Sequence, residues 1–388
     1  MDLHVVLVLL FISSLLVCHN GVEGGTGLSE EEYLELEKQI ELLNKPAVKT
    51  IHSDYGDIID CVDFYKQPAF DHPLLKNHTF HYKMKPTSST WKARDEVALN
   101  GTKPTGTAGL RGGGCPLGTV PIRRVTMEDL IREKLASKTI SSEENRPGTH
   151  YAVIRTRVTR KKFNGAGALI TLYRPHVNGG QYSAARVKIQ NGLDSIESGW
   201  RVDPSLYGDG RTRGYIHFNA GQTHCFNTRC PGFVIVRPDI QLDAYFDPVS
   251  IPGIDPITTP VYIIRDKPSG NWWVILREEN VAVGFWPKRI FTRLGDLANY
   301  VEWGGETFSP PGTVAPPMGT GFFPIRPFIS LNAYFKRVVV RNEYGQTVDV
   351  DNTEKFADNN KLYGVADKGD QGDYFGRVFL YGGPGGKT

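Results

Sequence analysis

The chain has 388 residues, is 40% hydrophobic and carries a formal net charge of +3. That charge is too small to point to nucleic acid or a membrane surface, and the length suits one large domain or two ordinary ones. With 42 glycines and 25 prolines, the composition favours short strands joined by turns over a helix bundle.

Residues 5–17, VVLVLLFISSLLV, form an apolar run too short to span a bilayer, and the small residues of CHNGVEGG follow. This reads as a signal peptide over 1–24, which predicts a secreted chain with no membrane partner in its mature form. Its removal takes Cys18 and leaves Cys61, Cys115, Cys225 and Cys230. In an oxidising compartment these predict two disulfides. Cys225 and Cys230 lie close together in THCFNTRCPG and suit a turn staple; Cys61–Cys115 is the natural second pair. Asn77 and Asn100 head sequons open to glycosylation.

LSEEEYLELEKQIELLNKP, 28–46, predicts a helix. Ser29 and Glu32 are spaced for a capping box, Leu28 and Tyr33 for a hydrophobic staple. Tyr33, Leu36, Ile40 and Leu43 form its apolar stripe. Residues 51–73 read as an extended hairpin with a proline-rich exit, and 85–114 as a polar loop. A short helix is expected over 121–135, capped by Thr126, with Met127, Leu130, Ile131 and Leu135 inward. Residues 137–148 are a linker closed by Pro-Gly. From 149 onward, β-rich runs from YAVIRTRV to YFGRVFLYGG follow at close spacing and predict an all-β antiparallel sandwich or barrel. IQLDAYF is counted among those strands, PKRIFTRLGDLA (287–298) is expected to be a short helix, and RTRVTRKK (155–162) a solvated edge strand.

Chemistry-bearing motifs are few. There is no HExxH, no paired CxxC and no GxSxG, so neither a zinc site nor a serine nucleophile is expected, and no cofactor is implied. What remains is carboxylates beside glycine and tryptophan, in SIESGW (195–200) and VEWGGETF (301–308). At period two, Ile196, Trp200 and Val202 share one strand face, while Glu197, Gly199 and Arg201 share the other. Glu302, Gly304 and Glu306 likewise fall on one face. Glycine lets another backbone or a substrate come close. Two carboxylates on one groove can divide acid and base work, since like charges push their pKa values apart.

Several longer runs, in order, resemble the neprosin family of plant secreted proteins, named for a glutamic peptidase: SIESGWRVDPSLYGDGRTR, CFNTRCPGFV, SGNWWV, VGFWP, VEWGGE and LYGGPGG. DIIDCVDFYKQPAFDHPLLKNH and CPLGTVPIRR are similar to the family's activation peptide. The resemblance covers nearly the whole chain after the signal. It departs in the strand after GDGRTR, where members often carry a Tyr-Trp pair and His217-Phe218 stand nearest that place here. A second departure is the lack of a further cysteine pair near the C-terminus.

The resemblance implies a β-sandwich peptidase over 149–388, preceded by a small α+β pro-domain over 25–136 that acts as an intramolecular inhibitor. Its catalytic glutamates would be Glu197 and Glu306, activating water to hydrolyse a peptide or protein substrate in acid, next to proline. Gln190, Trp200, Tyr207, Trp273 and Trp303 are the expected substrate-binding residues: an amide, a phenol and aromatic walls. At least two of Trp200, Trp273, Trp286 and Trp303 are expected in the core. Secretion would deliver the protein to the apoplast or cell wall, or to the vacuole. The alternative is a non-catalytic carbohydrate- or peptide-binding sandwich with a tryptophan-rich face.

Overall fold

Helix α1 (Glu30–Leu43) begins where its capping box requires: Ser29 Oγ accepts from Glu32 N at 3.2 Å, and Glu32 Oε2 accepts from Ser29 N at 2.9 Å. The structure, a computed structural model, describes residues 28–87, 110, 113–138, 146–158, 160–221, 223–276 and 281–387. The signal peptide, Cys18, Asn100, most of the 85–114 loop and the middle of the linker lie outside the described residues. Leu36 and Leu43 are buried with Val125 and Leu130. Tyr33 is 40% exposed and stands outside that cluster, so the stripe starts at Leu36.

Strands β1 (Ala47–His52) and β2 (Ile58–Asp63) form the hairpin, and β3 (Thr119–Arg123) pairs with β2. The Cys61–Cys115 disulfide ties β2 to the segment before β3. Residues 119–123 are strand rather than helix: Val120 and Ile122 alternate inward, and Pro121 is tolerated because β3 is an edge. Helix α2 (Met127–Lys138) starts only after Thr126 and Asp129, which cap each other. Leu130 is buried, but Leu135 is 42% exposed, a correction to the inward set. Asn77 is exposed.

The remainder is an antiparallel β-sandwich. Its strands, in chain order, are β4 (Thr149–Thr156), β5 (Phe163–Thr171), β6 (Tyr182–Asn191) and β7 (Asp194–Val202). After the single-turn helix α3 (Pro204–Tyr207) come β8 (Arg213–Ala220), β9 (Thr223–Phe226), β10 (Val234–Ile235), β11 (Thr258–Arg265) and β12 (Trp272–Ile275). Then follow β13 (Ala282–Trp286), β14 (Tyr300–Phe308), β15 (Ala333–Asn342), β16 (Thr347–Asp349), β17 (Thr353–Ala357), β18 (Gly364–Asp370) and β19 (Arg377–Gly382). One sheet runs β17-β4-β14-β6-β7-β8-β9. The other runs β10-β13-β12-β11-β5-β15-β19-β18, with β16 on β15. Their inner faces share one apolar core. Trp200 of β7 donates its Nε1–H to Thr171 O of β5 at 2.8 Å, and Trp303 of β14 meets Phe379 of β19 at 6.1 Å between rings.

Three expected elements differ. Residues 240–246 form isolated bridges rather than a strand, Arg213 to Tyr245 among them, and buried Gln241 and Asp243 bond each other at 3.0 Å instead of extending a ladder. The helix expected over 287–298 is one 3-10 turn, Lys288–Ile290. The N–H groups of Thr292, Arg293 and Leu294 all point to Asp194 Oδ2, at 2.7, 2.5 and 3.0 Å, so a carboxylate takes donors that a helix would have used. Finally, β4 is an inner strand that ends at Thr156, between β17 and β14, not a solvated edge.

The N-terminal module sits against one side of the sandwich. Gln67 brackets Ile235 with both ends of its amide, at 2.8 and 3.2 Å, and Cys115 N donates to Pro238 O at 2.8 Å. Asp57 pairs with Arg213 of β8 at 2.8 Å, and Glu133 of α2 pairs with Arg229 at 3.2 Å.

Candidate active site

The site occupies the outer face of the seven-stranded sheet, and the register explains its layout. Arg186, midway along β6, stands opposite Gly199 of β7 on one side and Gly304 of β14 on the other. Neither position has room for a side chain: a Cβ on Gly199 would lie 1.9 Å from Ala185 O, and one on Gly304 would lie 2.3 Å from Ala152 O. The glycines of ESG and WGG leave space on both sides of the arginine. Two residues along in each direction stand the acids. Glu197 and Glu302 both face Lys188, and Glu306 faces Ala184.

All three carboxylates close on one guanidinium. Arg186 Nε lies 3.1 Å from Glu197 Oε2 and 3.0 Å from Glu306 Oε2, while its Nη2 lies 2.8 Å from Glu306 Oε2. Its Nη1 pairs with Glu302 Oε1. Arg186 is 1% exposed, Glu197 8% and Glu302 6%. Each acid has a phenol: Tyr215 donates to Glu197 at 3.5 Å, Tyr300 to Glu302 and Tyr182 to Glu306. Lys188 Nζ and His217 Nδ1 stand 3.7 and 3.9 Å from Glu197 Oε1.

The electrostatics follow from this packing. Burial alone would raise the Glu197 carboxyl, but Arg186, then Lys188 and His217, overcome it and hold the group below its usual range. Glu302 is depressed in the same way: Arg186 and Lys188, helped by the Tyr300 hydrogen bond, outweigh burial. Burial pushes Tyr151 and Tyr215 well above the ordinary phenol range, and Glu306 and Glu197 push them further. Both phenols therefore keep their protons and remain donors. Beside the cluster lies a cavity of about 530 Å³, lined by Glu302, Arg186, Lys188, Arg155, Tyr151 and Phe356 among others.

The expected substrate-lining residues are dispersed. Trp200 and Trp303 point into the core from the opposite face, each 0% exposed. Trp273, on β12 of the other sheet, is buried against Phe285. Tyr207 is buried at the seat of the N-terminal module, where its hydroxyl meets Asn227 at 3.3 Å and its carbonyl accepts from Arg123 at 3.4 Å. Gln190 is on the correct face of β6 but beyond Lys188, and its amide donates to Gly192 O at 2.8 Å. The aromatic walls are instead Tyr151 and Phe356. Arg186 and the tyrosines had no signal in the sequence: each reads as one polar residue in a strand until the register joins the strands.

An antiparallel sandwich that gathers carboxylates from separate strands around one buried arginine defines a protein equipped for proton transfer by carboxyl groups. The neprosin profile matches residues 179–384, and the profile of the neprosin activation peptide matches 50–165. The chain belongs to the neprosin family. Among solved structures, a scytalido-glutamic peptidase bound to a peptide-based transition-state analog is 10% identical, covering 61% of this chain and 97% of that one at a TM-score of 0.35. SCP-B, a member of the Eqolisin family of peptidases in complex with Ala-Ile-His, gives 10%, 61%, 97% and 0.34. The assignment rests on the family profiles, which support a peptidase carrying an activation peptide.

Proposed function

We propose that the protein is a secreted, acid-activated glutamic endopeptidase in which Glu197 and Glu306 activate water. The observation that carries this reading is the shared nitrogen: Arg186 Nε contacts a carboxylate oxygen of each glutamate, at 3.1 and 3.0 Å, from strands on opposite sides of β6. Glu197, held below the usual carboxyl range, is the general base and takes a proton from water as the oxygen attacks the peptide carbonyl. Glu306, protonated, donates to the carbonyl oxygen as the tetrahedral intermediate forms. When the C–N bond breaks, the proton on Glu197 passes to the leaving nitrogen and Glu306 recovers its own from the collapsing oxygen.

The proposed organisation is a signal peptide over 1–24, a pro-domain over 25–136, a linker over 137–148 and a peptidase domain over 149–388. The activation-peptide match extends through β4 to Gly165, inside β5. Both are inner strands of the sandwich, which supports a processing cut before β4. The described chain leaves α2 beside Arg229 and resumes at Arg146, whose guanidinium lies 3.1 Å over Phe308 at the end of β14. Release of the module would part Asp57 from Arg213 on β8, the strand that also carries Tyr215, the partner of Glu197. Secretion and glycosylation at Asn77 and Asn100 belong to the same proposal. So does cleavage next to proline, which the aromatic pair Tyr151 and Phe356 would favour.

The test is cleavage of a proline-containing peptide, and of its alanine counterpart, at about pH 3 and about pH 7, by the wild type, Glu197→Gln and Glu306→Gln. Acid-dependent cleavage lost in both variants supports the reading. A wild type that binds peptide or sugar, cleaves neither substrate and binds equally well as Glu306→Gln would establish the non-catalytic alternative.

A further inference from the structure

The mechanism uses two of the three carboxylates on Arg186. Glu302 is as buried as Glu197 and lines the cavity beside the pair. It receives two directed contacts, from Arg186 Nη1 on one oxygen and from the Tyr300 hydroxyl on the other. Those contacts fix its rotamer, and through it the roll of the guanidinium plane. Were Nη1 not anchored, Arg186 could turn its fork toward either catalytic glutamate alone, as bidentate pairing favours.

We propose that Glu302 is a positioning residue: it holds one arm of Arg186 so that the remaining nitrogens span Glu197 and Glu306, and its charge offsets part of the positive charge that Arg186 and Lys188 bring to the site. This inference rests on the peptidase reading for its consequence, but not for its physics.

The charges around Glu302 support it. From β6 it faces Arg186 and Lys188, and from β4 Arg155, which is itself paired with Glu354 at 2.7 Å. Across Arg186 lie Glu197 and Glu306. Three acids face Arg186 and Lys188, so the Glu302 charge offsets part of the depression that those cations impose on Glu197. If the Glu302 charge is removed, the two cations face only the catalytic pair, and Glu197 should deprotonate at lower pH. The contribution of Glu302 to Glu197 has this sign, raising it. His217, 3.9 Å from Glu197, adds positive charge in acid and acts in the same direction as Arg186.

The test is an infrared titration of the carboxylate band in the intact chain, comparing wild type with Glu302→Gln and using Glu197→Gln and Glu306→Gln to assign the site's bands. The expected result is a downward shift of the Glu197 midpoint by about one pH unit, with the pH–rate profile moving alongside. Glu302→Asp, which keeps the charge, should restore most of the profile while kcat stays reduced. An unmoved midpoint, or a loss of rate with an unmoved profile, would overturn the inference and leave Glu302 a structural ion pair. If Glu302→Gln does not fold, Glu302→Asp carries the test through its rate: a kcat equal to that of the wild type, although the shorter side chain no longer reaches Arg186 Nη1 in the same way, refutes the positioning role. A wild type without cleavage at any pH refutes the peptidase reading alone, since the titration still decides what Glu302 does.

Discussion

The two faces of the seven-stranded sheet are built from the same strands and are almost equally buried, yet they have opposite chemistry. Inward, Ile196, Trp200, Val301 and Trp303 sit at 0% exposure in an apolar core. Outward, Arg186 at 1% and Glu197 at 8% are covered by tyrosines and ion pairs. On the inner face, burial gives stability through apolar area. On the outer face, ions are taken from water and compensated by one another, which costs stability and sharpens their electrostatics. A residue's burial therefore says nothing of its role here until its face is known.

The largest expected effect would break the symmetry of the faces directly. Glu197→Gln and Glu306→Gln, nearly isosteric, should each lower cleavage by about 10²–10⁴-fold, the usual worth of acid–base catalysis, while urea midpoints move little. Next is Arg186→Met, which leaves three carboxylates, Glu197 and Glu302 buried and Glu306 partly so, without their common partner. It should cost about 3–5 kcal/mol, read by chemical denaturation. Trp303→Ala should cost a similar about 3–5 kcal/mol by opening a cavity, but cleavage per folded molecule should persist because the inner face does no chemistry. Equal loss of specific activity in Trp303→Ala would erase the distinction.

A smaller effect concerns pH. In the proposed mechanism Glu197 works ionised, and its carboxyl is held below the usual range, chiefly because Arg186 overcomes burial. Rate should therefore survive as pH falls past about 4.3, the ordinary glutamate value, and decline only through the depressed one. A rate that already halves near the ordinary value would contradict that. The smallest expected effect lies at the pro-domain seat. Asp129 is depressed: burial would raise it, but Arg123 and Arg229 prevail. Its contribution to docking is present above the ordinary carboxyl range and is lost as pH falls through the depressed value. Glu133, raised by burial, has the opposite sign and holds best when protonated. Asp129→Asn should therefore release the module at higher pH than wild type, followed by size-exclusion chromatography of cleaved material. Release at an unchanged pH would remove Asp129 from the switch.

Period-two alternation was enough to put Trp200 and Glu197 on opposite faces, because a strand repeats every two residues wherever it lies. It also put Glu302, Gly304 and Glu306 on one face. Alternation did not carry over to lining: Trp200 and Trp303 were expected beside substrate although their own parity turned them inward. Arg186, in ARVKIQ, was invisible because its importance lies in the register of three strands, and register is a long-range property. The glycines of ESG and WGG are read as room for a close approach; the approaching groups are Ala185 and Arg186 at Gly199, Ala152 and Val153 at Gly304, and Met318 and Tyr381 at Gly305. Strands β17 and β18, TEKFA and GVADKGD, escaped notice because neither alternates apolar with polar. The helix expected at 287–298 was displaced by a distant carboxylate, Asp194, that no local propensity reports. Choosing Glu306 over Glu302 as catalytic came from the family motif, since both acids touch the same arginine.

The most direct test of two glutamates acting as one unit is the kcat/KM of Glu197→Gln, Glu306→Gln and the double variant at acid pH. The expected result is a double variant no worse than the weaker single one, as for groups that serve a single proton-transfer step. Losses that multiply would contradict a shared role and would assign the two carboxylates independent tasks.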